Sequence, residues 1–431
     1  MKNQNLIKDI MNTQSVPPQQ RKKFLCYSDS VQCATGFAQV ARNILMGVHN
    51  SGRYNVIQLG INYWGDPHEY PFPIYPMGVN KQNDPYGREK AKSMILNLEW
   101  DVLFLLQDTF ILQFLRELVP EIRRAGKKGP IVVYAPADGI PRPEWIEGIS
   151  HADVCIAYTD WAKKEWIKAF APIESKVVDV LPHGINTKHF FPMPEEEMQE
   201  FRRNYFGKVA GNFIFCNVNR NQQRKDIPRT LMAFKKVLEA RPNLTLYLHM
   251  ASKDLGWDLA QVVRSLDLDL NTDVLFPANF NVNQGFPLDI LNRVYNSVDC
   301  MVSTTLGEGW GLSWLEAMAV NRPVIFPDNT ALTENLADGR GLLVKSGEDW
   351  DHHTVICNDF EVVRPVTNLD DLVEKMIYCI DNPEEMKEMS NKAYKWVLKN
   401  LNWDDVVSRF IKVFDNSLNI EREEPAKVDV L

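Results

Sequence analysis

The chain has 431 residues, 45% of them hydrophobic and 24% charged, and a formal net charge of −8. That length exceeds one ordinary core and points to two globular domains, while no apolar run approaches the roughly 18 residues needed to span a bilayer. The charge is uneven, +3 over residues 1–190 and −11 over the rest, and the basic stripe of a general nucleic-acid binder is missing.

Residues 1–20 end at Pro17-Pro18 and lack the continuous apolar stretch of a secretory signal, so they read as a flexible tail. From there, short apolar runs alternate with amphipathic ones, the signature of βα units around parallel sheets. Strands are expected at 23–29, 55–61, 101–108, 130–138, 153–159 and 175–185, forming a first Rossmann-like domain over 21–190. Residues 191–210 carry prolines and charge and suit a linker. A second series at 212–220, 244–252, 273–279, 298–304 and 322–328 defines another domain over 211–400. The insertion 351–368 reads as a hairpin, and its His352-His353 pair points to opposite faces of a strand, which argues against a metal site. Apolar residues at helical spacing (Val406, Val407, Phe410, Ile411, Phe414) mark a last docking helix over 401–420, before a tail at 421–431. Seven cysteines are scattered without CxxC or metal-like spacing. They read as thiols of a reducing, cytoplasmic compartment.

The stretch Thr304–Phe326, "TTLGEGWGLSWLEAMAVNRPVIF", carries the chemistry. It reads as strand, glycine turn, helix and strand, and in such sheets ligands sit beyond the carboxyl ends of strands. The turn residues Gly309 and Trp310 lead to Gly311, Leu312 and Ser313, whose amides are free donors for phosphate at a helix start. "GEGWG" is no dinucleotide fingerprint, because Trp314 stands where a third glycine is needed. Glu308 precedes the helix and Glu316 lies in its first turns. Taken alone, such a pair is a helix-dipole partner and a surface acid. Beside a phosphate site, the two become acceptors for vicinal hydroxyls.

"EGWGLSWLEAMAVNRPVIFPD" followed by "LTENLADGRGLLV", residues 308–344, resembles the Glu-x7-Glu motif and its sequel in retaining GT-B glycosyltransferases of the family-4, or group 1, type. The resemblance implies an α/β fold of GT-B architecture, with two Rossmann-like domains facing a cleft and a C-terminal helix crossing back to the N-domain. In "FCNVNRNQQRKD", Arg220 and Lys225 take the positions of two cations that contact the donor diphosphate, as paired cations past a strand end can. Arg224 and Arg229 read as a solvated helix start. "TGFAQVARNIL" resembles the N-domain glycine loop, placing Gly36 near the donor phosphate. "VLPHGINTKHFFP" resembles the close of that domain, and "LNWDDVVSRFIKVF" the crossing helix. One departure is Asp138, where many members carry a histidine that contacts the donor sugar. It serves either a sugar hydroxyl, the acceptor or the turn before Gly139. His183, at another strand end, is a possible site residue or a structural one.

The function implied is metal-independent transfer of a sugar from a nucleoside-diphosphate sugar, with retention of configuration and no cofactor. Glu308, Arg220, Lys225 and Asp138 act in catalysis, and Glu316 holds the ribose. The acceptor is open, nucleic acid included, and the aromatic stretch 60–87 with Tyr63 and Trp64 offers acceptor loops or core packing. The alternatives are a catalytically silent binding protein and a nucleotide-sugar hydrolase or epimerase.

Overall fold

The structure, a computed structural model, describes residues 16–78, 83–278, 280, 285–357 and 359–420. The tails expected at 1–20 and 421–431 lie outside the described residues, except for 16–20, which include a 3-10 turn over Pro18–Gln20. Two compact units divide the chain. The first comprises Met1–Ala137, Pro141–His183 and Trp403–Leu431, the second Asp138–Ile140 and Gly184–Asn402.

In the first unit, β1 (Lys22–Asp29), β2 (Tyr54–Ile61), β3 (Ile74–Pro76), β4 (Val102–Leu106), β5 (Ile131–Ala135), β6 (Val154–Ala157) and β7 (Val177–Val180) form one sheet. Its order is β3-β2-β1-β4-β5-β6-β7, and every pairing is parallel. Helices on both faces explain why β4 and β5 are unbroken apolar runs buried along their whole length. The edge strand β3 escapes the sequence reading because three residues inside a proline-rich stretch carry no alternation. In that stretch Tyr63 is buried and Trp64 is exposed.

The second unit repeats the plan with β8 (Phe213–Val218), β9 (Leu244–His249), β10 (Val274–Leu275), β11 (Cys300–Val302), β12 (Val324–Pro327) and β13 (Leu342–Val344). The order is β10-β9-β8-β11-β12-β13, again all parallel. Strand order reverses direction between β1 and β4 in one sheet and between β8 and β11 in the other. Such a reversal sends the loops of two neighbouring strands to opposite faces and opens a crevice between them. The expected hairpin is present as β14 (His353–Val355) and β15 (Val363–Pro365), paired antiparallel.

Residues 191–210, expected as a linker, carry a helix, Glu195–Phe206, within the second unit. Three glutamates in its first turn complement the helix dipole, and Arg202 fixes it to Asp299 at 2.8 Å. Five of the seven cysteines are buried, while Cys33 is half-buried and Cys357 exposed, and none is disulfide-bonded.

The last helix, Trp403–Ser417, groups with the first unit. Phe410 meets Tyr134 at 4.8 Å between ring centroids, and Phe414 meets Phe24 at 4.8 Å and Phe104 at 5.2 Å. Asp415 accepts from the Tyr54 hydroxyl at 2.6 Å and pairs with Arg53. Because Phe410 is fully buried, Phe410→Ala should cost about 3–5 kcal/mol of stability. Urea unfolding followed by circular dichroism measures this, and an unchanged midpoint would contradict the docking.

Candidate functional site

The crevice of the second unit is built from the loops after β8 and β11. Beyond Val218 the chain runs through Arg220 and Asn221 into a 3-10 turn, Gln223–Lys225, before the helix Ile227–Ala240. The side chain of buried Asn221 takes the Trp257 amide at 3.0 Å and donates to the Trp257 carbonyl at 2.7 Å. These bonds satisfy the polar groups of a loop that leaves the sheet without a ladder partner. The loop after β11 is stitched to the same turn. Leu306 N donates to Arg224 O at 2.8 Å, and the Thr304 hydroxyl donates to Asp226 O at 2.8 Å.

This stitching brings Arg224 and Lys225 onto Glu308. The Lys225 ammonium pairs with Glu308 Oε1, and Arg224 Nη1 stands 3.5 Å from Glu308 Oε2 and donates to the Gly307 carbonyl. Lys225 and Glu308 are both buried. The backbone of Glu308 is held too, its amide donating to the Thr330 hydroxyl at 2.9 Å. Burial opposes ionisation of Glu308, but Lys225 and Arg224 prevail and hold its carboxyl below the usual carboxylate range. Burial, with Arg224 adding to it against the pull of Glu308, lowers Lys225 to about 8.

Asp138 joins the cluster. Arg224 Nε lies 3.2 Å from its Oδ2, and Arg364 on β15 donates to its carbonyl at 2.6 Å and stands 3.4 Å from its Oδ1. Burial raises the Asp138 carboxyl, but the two guanidiniums outweigh it and keep it below its ordinary value. Gly307 is required by this approach, since a Cβ there would lie 2.0 Å from Asp138 O. Arg224 therefore bridges two carboxylates, which corrects the expectation of a solvated helix start. Arg229 is tied as well, to Asp226 at 3.0 Å and to the Thr367 carbonyl.

Arg220 does not join Lys225 on Glu308. Its guanidinium pairs with Asp254, 2.7 Å from Nε and 3.3 Å from Nη2, with 47% of the side chain exposed. A residue five positions before Lys225 on an irregular turn faces a different wall, and spacing alone cannot reveal that.

The helix Leu312–Ala319 starts where expected. Gly311 is its N-cap at φ +88° and supplies no side-chain cap. A Cβ at Gly311 would stand 2.7 Å from Trp314 Cδ1 and 3.5 Å from Glu308 Cγ. The uncapped start, with Leu312 and Ser313 in its first turn, thus abuts Glu308. Gly309 and Trp310 complete the turn, and the Trp310 carbonyl accepts from Trp314 Nε1 at 2.6 Å and Asn335 Nδ2 at 3.3 Å. Glu316 is buried rather than superficial and accepts from the Tyr295 hydroxyl at 2.8 Å.

In the first unit, Gly36 opens the helix Gly36–Asn50, whose N-cap Thr35 accepts from Ala38 N. Thr35 also donates to Asp29 Oδ2 at 2.6 Å, and Gln107 donates to Asp29 Oδ1 at 3.0 Å. His183 belongs to the same unit, buried against Tyr134, Tyr158 and Trp403. Burial lowers its imidazole to about 3, so it is neutral, as a packed core histidine is. His352 pairs with Asp349 at 2.7 Å and His353 with the Asp349 carbonyl. Among the described residues no group of three or more His, Cys, Asp or Glu is placed to hold a metal ion.

A family model described as "Glycosyl transferases group 1" matches residues 212–355, which contain Arg220, Arg224, Lys225, Glu308 and Glu316. Residues 212–355 thus match a glycosyl transferases group 1 domain. Curated relatives of the chain include the O-antigen chain mannosyltransferase RfbU of Salmonella typhimurium, 25% identical over 50% of this chain and 52% of that protein. Another is the GDP-mannose-dependent monoacylated alpha-(1-6)-phosphatidylinositol monomannoside mannosyltransferase of Corynebacterium glutamicum, 22% identical over 55% of each. The chain spans about half the length of the curated relatives it matches. Among solved structures, sucrose-phosphate synthase of Thermosynechococcus elongatus superposes with a TM-score of 0.69 at 15% identity, over 92% of this chain and 99% of that one. Anabaena HepE in complex with UDP and glucose gives 0.66 at 16% identity, over 92% and 100%. The fold is thus that of the GT-B glycosyltransferases, two Rossmann-like units each on a parallel sheet.

Within the second unit, Gly307→Ala forces the backbone at Asp138 to move, because no flexible side chain can yield there. The expected cost is about 1–3 kcal/mol, read from chemical unfolding against wild type. Unaltered stability would contradict the close approach.

Proposed function

We propose that the chain transfers a sugar from a nucleoside-diphosphate sugar to an acceptor, with retention of configuration and without a divalent metal. One observation carries the proposal. Two cations, Lys225 and Arg224, converge on Glu308 beside an uncapped helix start at the strand-order reversal of a group 1 domain. A diphosphate needs positive charge and amide donors, and a hexose needs fixed acceptors for its hydroxyls. Both are available within one crevice. The relatives, one GDP-mannose-dependent by name and one complexed with UDP, agree with a nucleotide donor.

In this reading the bond from the anomeric carbon to the β-phosphate oxygen breaks, and its electron pair leaves with the diphosphate. Lys225, Arg224 and the amides of Leu312 and Ser313 stabilise that charge, and their effect is largest in the transition state. Arg220, half-exposed and neutralised by Asp254, serves as an outer cation. Glu308 orients sugar hydroxyls and favours the oxocarbenium-like carbon, while Asp138 accepts from another hydroxyl. The acceptor oxygen attacks from the face the phosphate leaves, and its proton passes to the departing phosphate oxygen. Glu316, oriented by Tyr295, holds the ribose.

Titration of UDP-glucose and GDP-mannose in excess EDTA tests the reading, with slow release of free sugar, water standing in for the acceptor, as the rate assay. Binding of at least one donor is expected. Failure of both, or binding that EDTA abolishes, would contradict it. Lys225→Ala and Arg224→Ala should each slow sugar release on the order of a hundredfold, and Arg220→Ala about tenfold. Glu308→Gln should lower the rate more than donor affinity, and Glu316→Ala should do the reverse.

The lysine also sets a pH dependence. Lys225 titrates near 8 in the free protein, and an anionic diphosphate favours its charged form. Donor affinity should therefore be full below pH 8 and fall as pH rises through it. Lys225→Arg, charged throughout, should flatten the profile, and an unchanged slope would count against Lys225 as the phosphate contact.

A further inference from the structure

Between β13 and the helix Leu369–Asp381 the chain inserts the β14–β15 hairpin. Its Arg364 has only 4% of its side chain exposed. That guanidinium donates to the Asp138 carbonyl at 2.6 Å, stands 3.4 Å from Asp138 Oδ1 and 3.0 Å from Asp359 Oδ1, and pairs through Nε with Asp359. Asp359, five residues earlier on the same hairpin, neutralises the arginine and fixes its fork. Gly139 leaves room for it, since a Cβ there would lie 3.0 Å from Arg364 Nη1. On the other side of the same carboxylate stands Arg224, which also reaches Glu308.

Burying a guanidinium is costly unless its donors are spent on definite acceptors. A hairpin needed only to cover a sheet edge has no reason to bring in such a group. Here the donors go to both the main chain and the side chain of one residue, so the residue is held in position and orientation together. Its carboxylate nevertheless remains 37% exposed, open to a ligand.

We propose that Arg364 is a positioning residue of the donor site, holding Asp138, and through it the Arg224 guanidinium, beside Glu308. The inference rests on the donor reading above. Asp138 then presents a fixed, ionised acceptor to a sugar hydroxyl. Without Arg364, the Asp138–Arg224 pair, already in contact at 3.2 Å, loses its anchor and Arg224 is free to move off Glu308.

The test uses the full chain as wild type, Arg364→Gln, Arg364→Lys, Asp138→Asn and the double variant R364Q/D138N. Each is titrated with UDP, UDP-glucose, GDP and GDP-mannose, and sugar release is timed. Arg364→Gln should slow release on the order of ten- to a hundredfold while UDP or GDP affinity changes less than about threefold. Arg364→Lys, which keeps the charge but not the fork, should recover part of the rate. The double variant should lose no more than the worse single one, because both act at one carboxylate. Losses that multiply, or nucleotide affinity falling in step with the rate, would overturn the inference alone. A wild type that binds none of the four nucleotides would overturn the donor reading and this inference with it. If Arg364→Gln does not fold, the comparison of Arg364→Lys with Asp138→Asn decides. A lysine variant with a wild-type rate while D138N is slow overturns the inference, and one slowed with unchanged nucleotide affinity supports it.

Discussion

A buried lysine and a buried glutamate hold each other ionised at the point where the second sheet reverses its strand order. Neither would keep its charge alone, because the cost of desolvation exceeds what any single hydrogen bond returns. Arg224 strengthens the hold on Glu308 while opposing the charge of Lys225, and the loops bearing all three groups are fixed by backbone bonds. Leu306 N to Arg224 O and Thr304 Oγ1 to Asp226 O are those bonds. The rest of the crevice follows. Glycine at 307 admits Asp138, and glycine at 311 leaves the helix start open against Glu308.

This arrangement offers paired charges that a donor can exchange. In the free protein the Lys225 ammonium and the Arg224 guanidinium are occupied by carboxylates, so neither is buried bare. In the proposed reaction a diphosphate competes for the same cations, and the carboxylates turn to hydroxyls instead. Binding and catalysis in this view use one set of charges twice, and the charge balance of the crevice is kept at each stage. The insertion adds another desolvated cation, Arg364, shared between Asp138 and Asp359.

Much of this was legible in the sequence, and the part that was not has a physical reason. The βα alternation gave both sheets because parallel strands buried on two faces must be continuous apolar runs. "DVLFLLQD" and "VDCMVST" are of that kind. The glycine turn, the helix start and the two acids were readable because each depends on neighbours a few residues away. Arg224 was misread because its partners, Asp138 and Glu308, lie about 85 positions distant in both directions. The one available signal was its place beside Lys225 in a turn too tight to send both into solvent. Arg364, Thr330 and Tyr295 left no local trace at all, since their roles arise only when the chain closes on itself. The linker expected at 191–210 fails for the same reason, its helix being anchored by Arg202 to an aspartate 97 residues away.

The most direct measurement is a crystal structure of the full chain with UDP-glucose or GDP-mannose in the presence of EDTA. The β-phosphate should lie within hydrogen-bonding reach, about 3 Å, of Lys225 Nζ and of the first amides of the helix Leu312–Ala319. Glu308 should have turned to the sugar. A nucleotide bound in the second unit with its diphosphate away from Lys225, and the Lys225–Glu308 pair intact, would contradict the donor site.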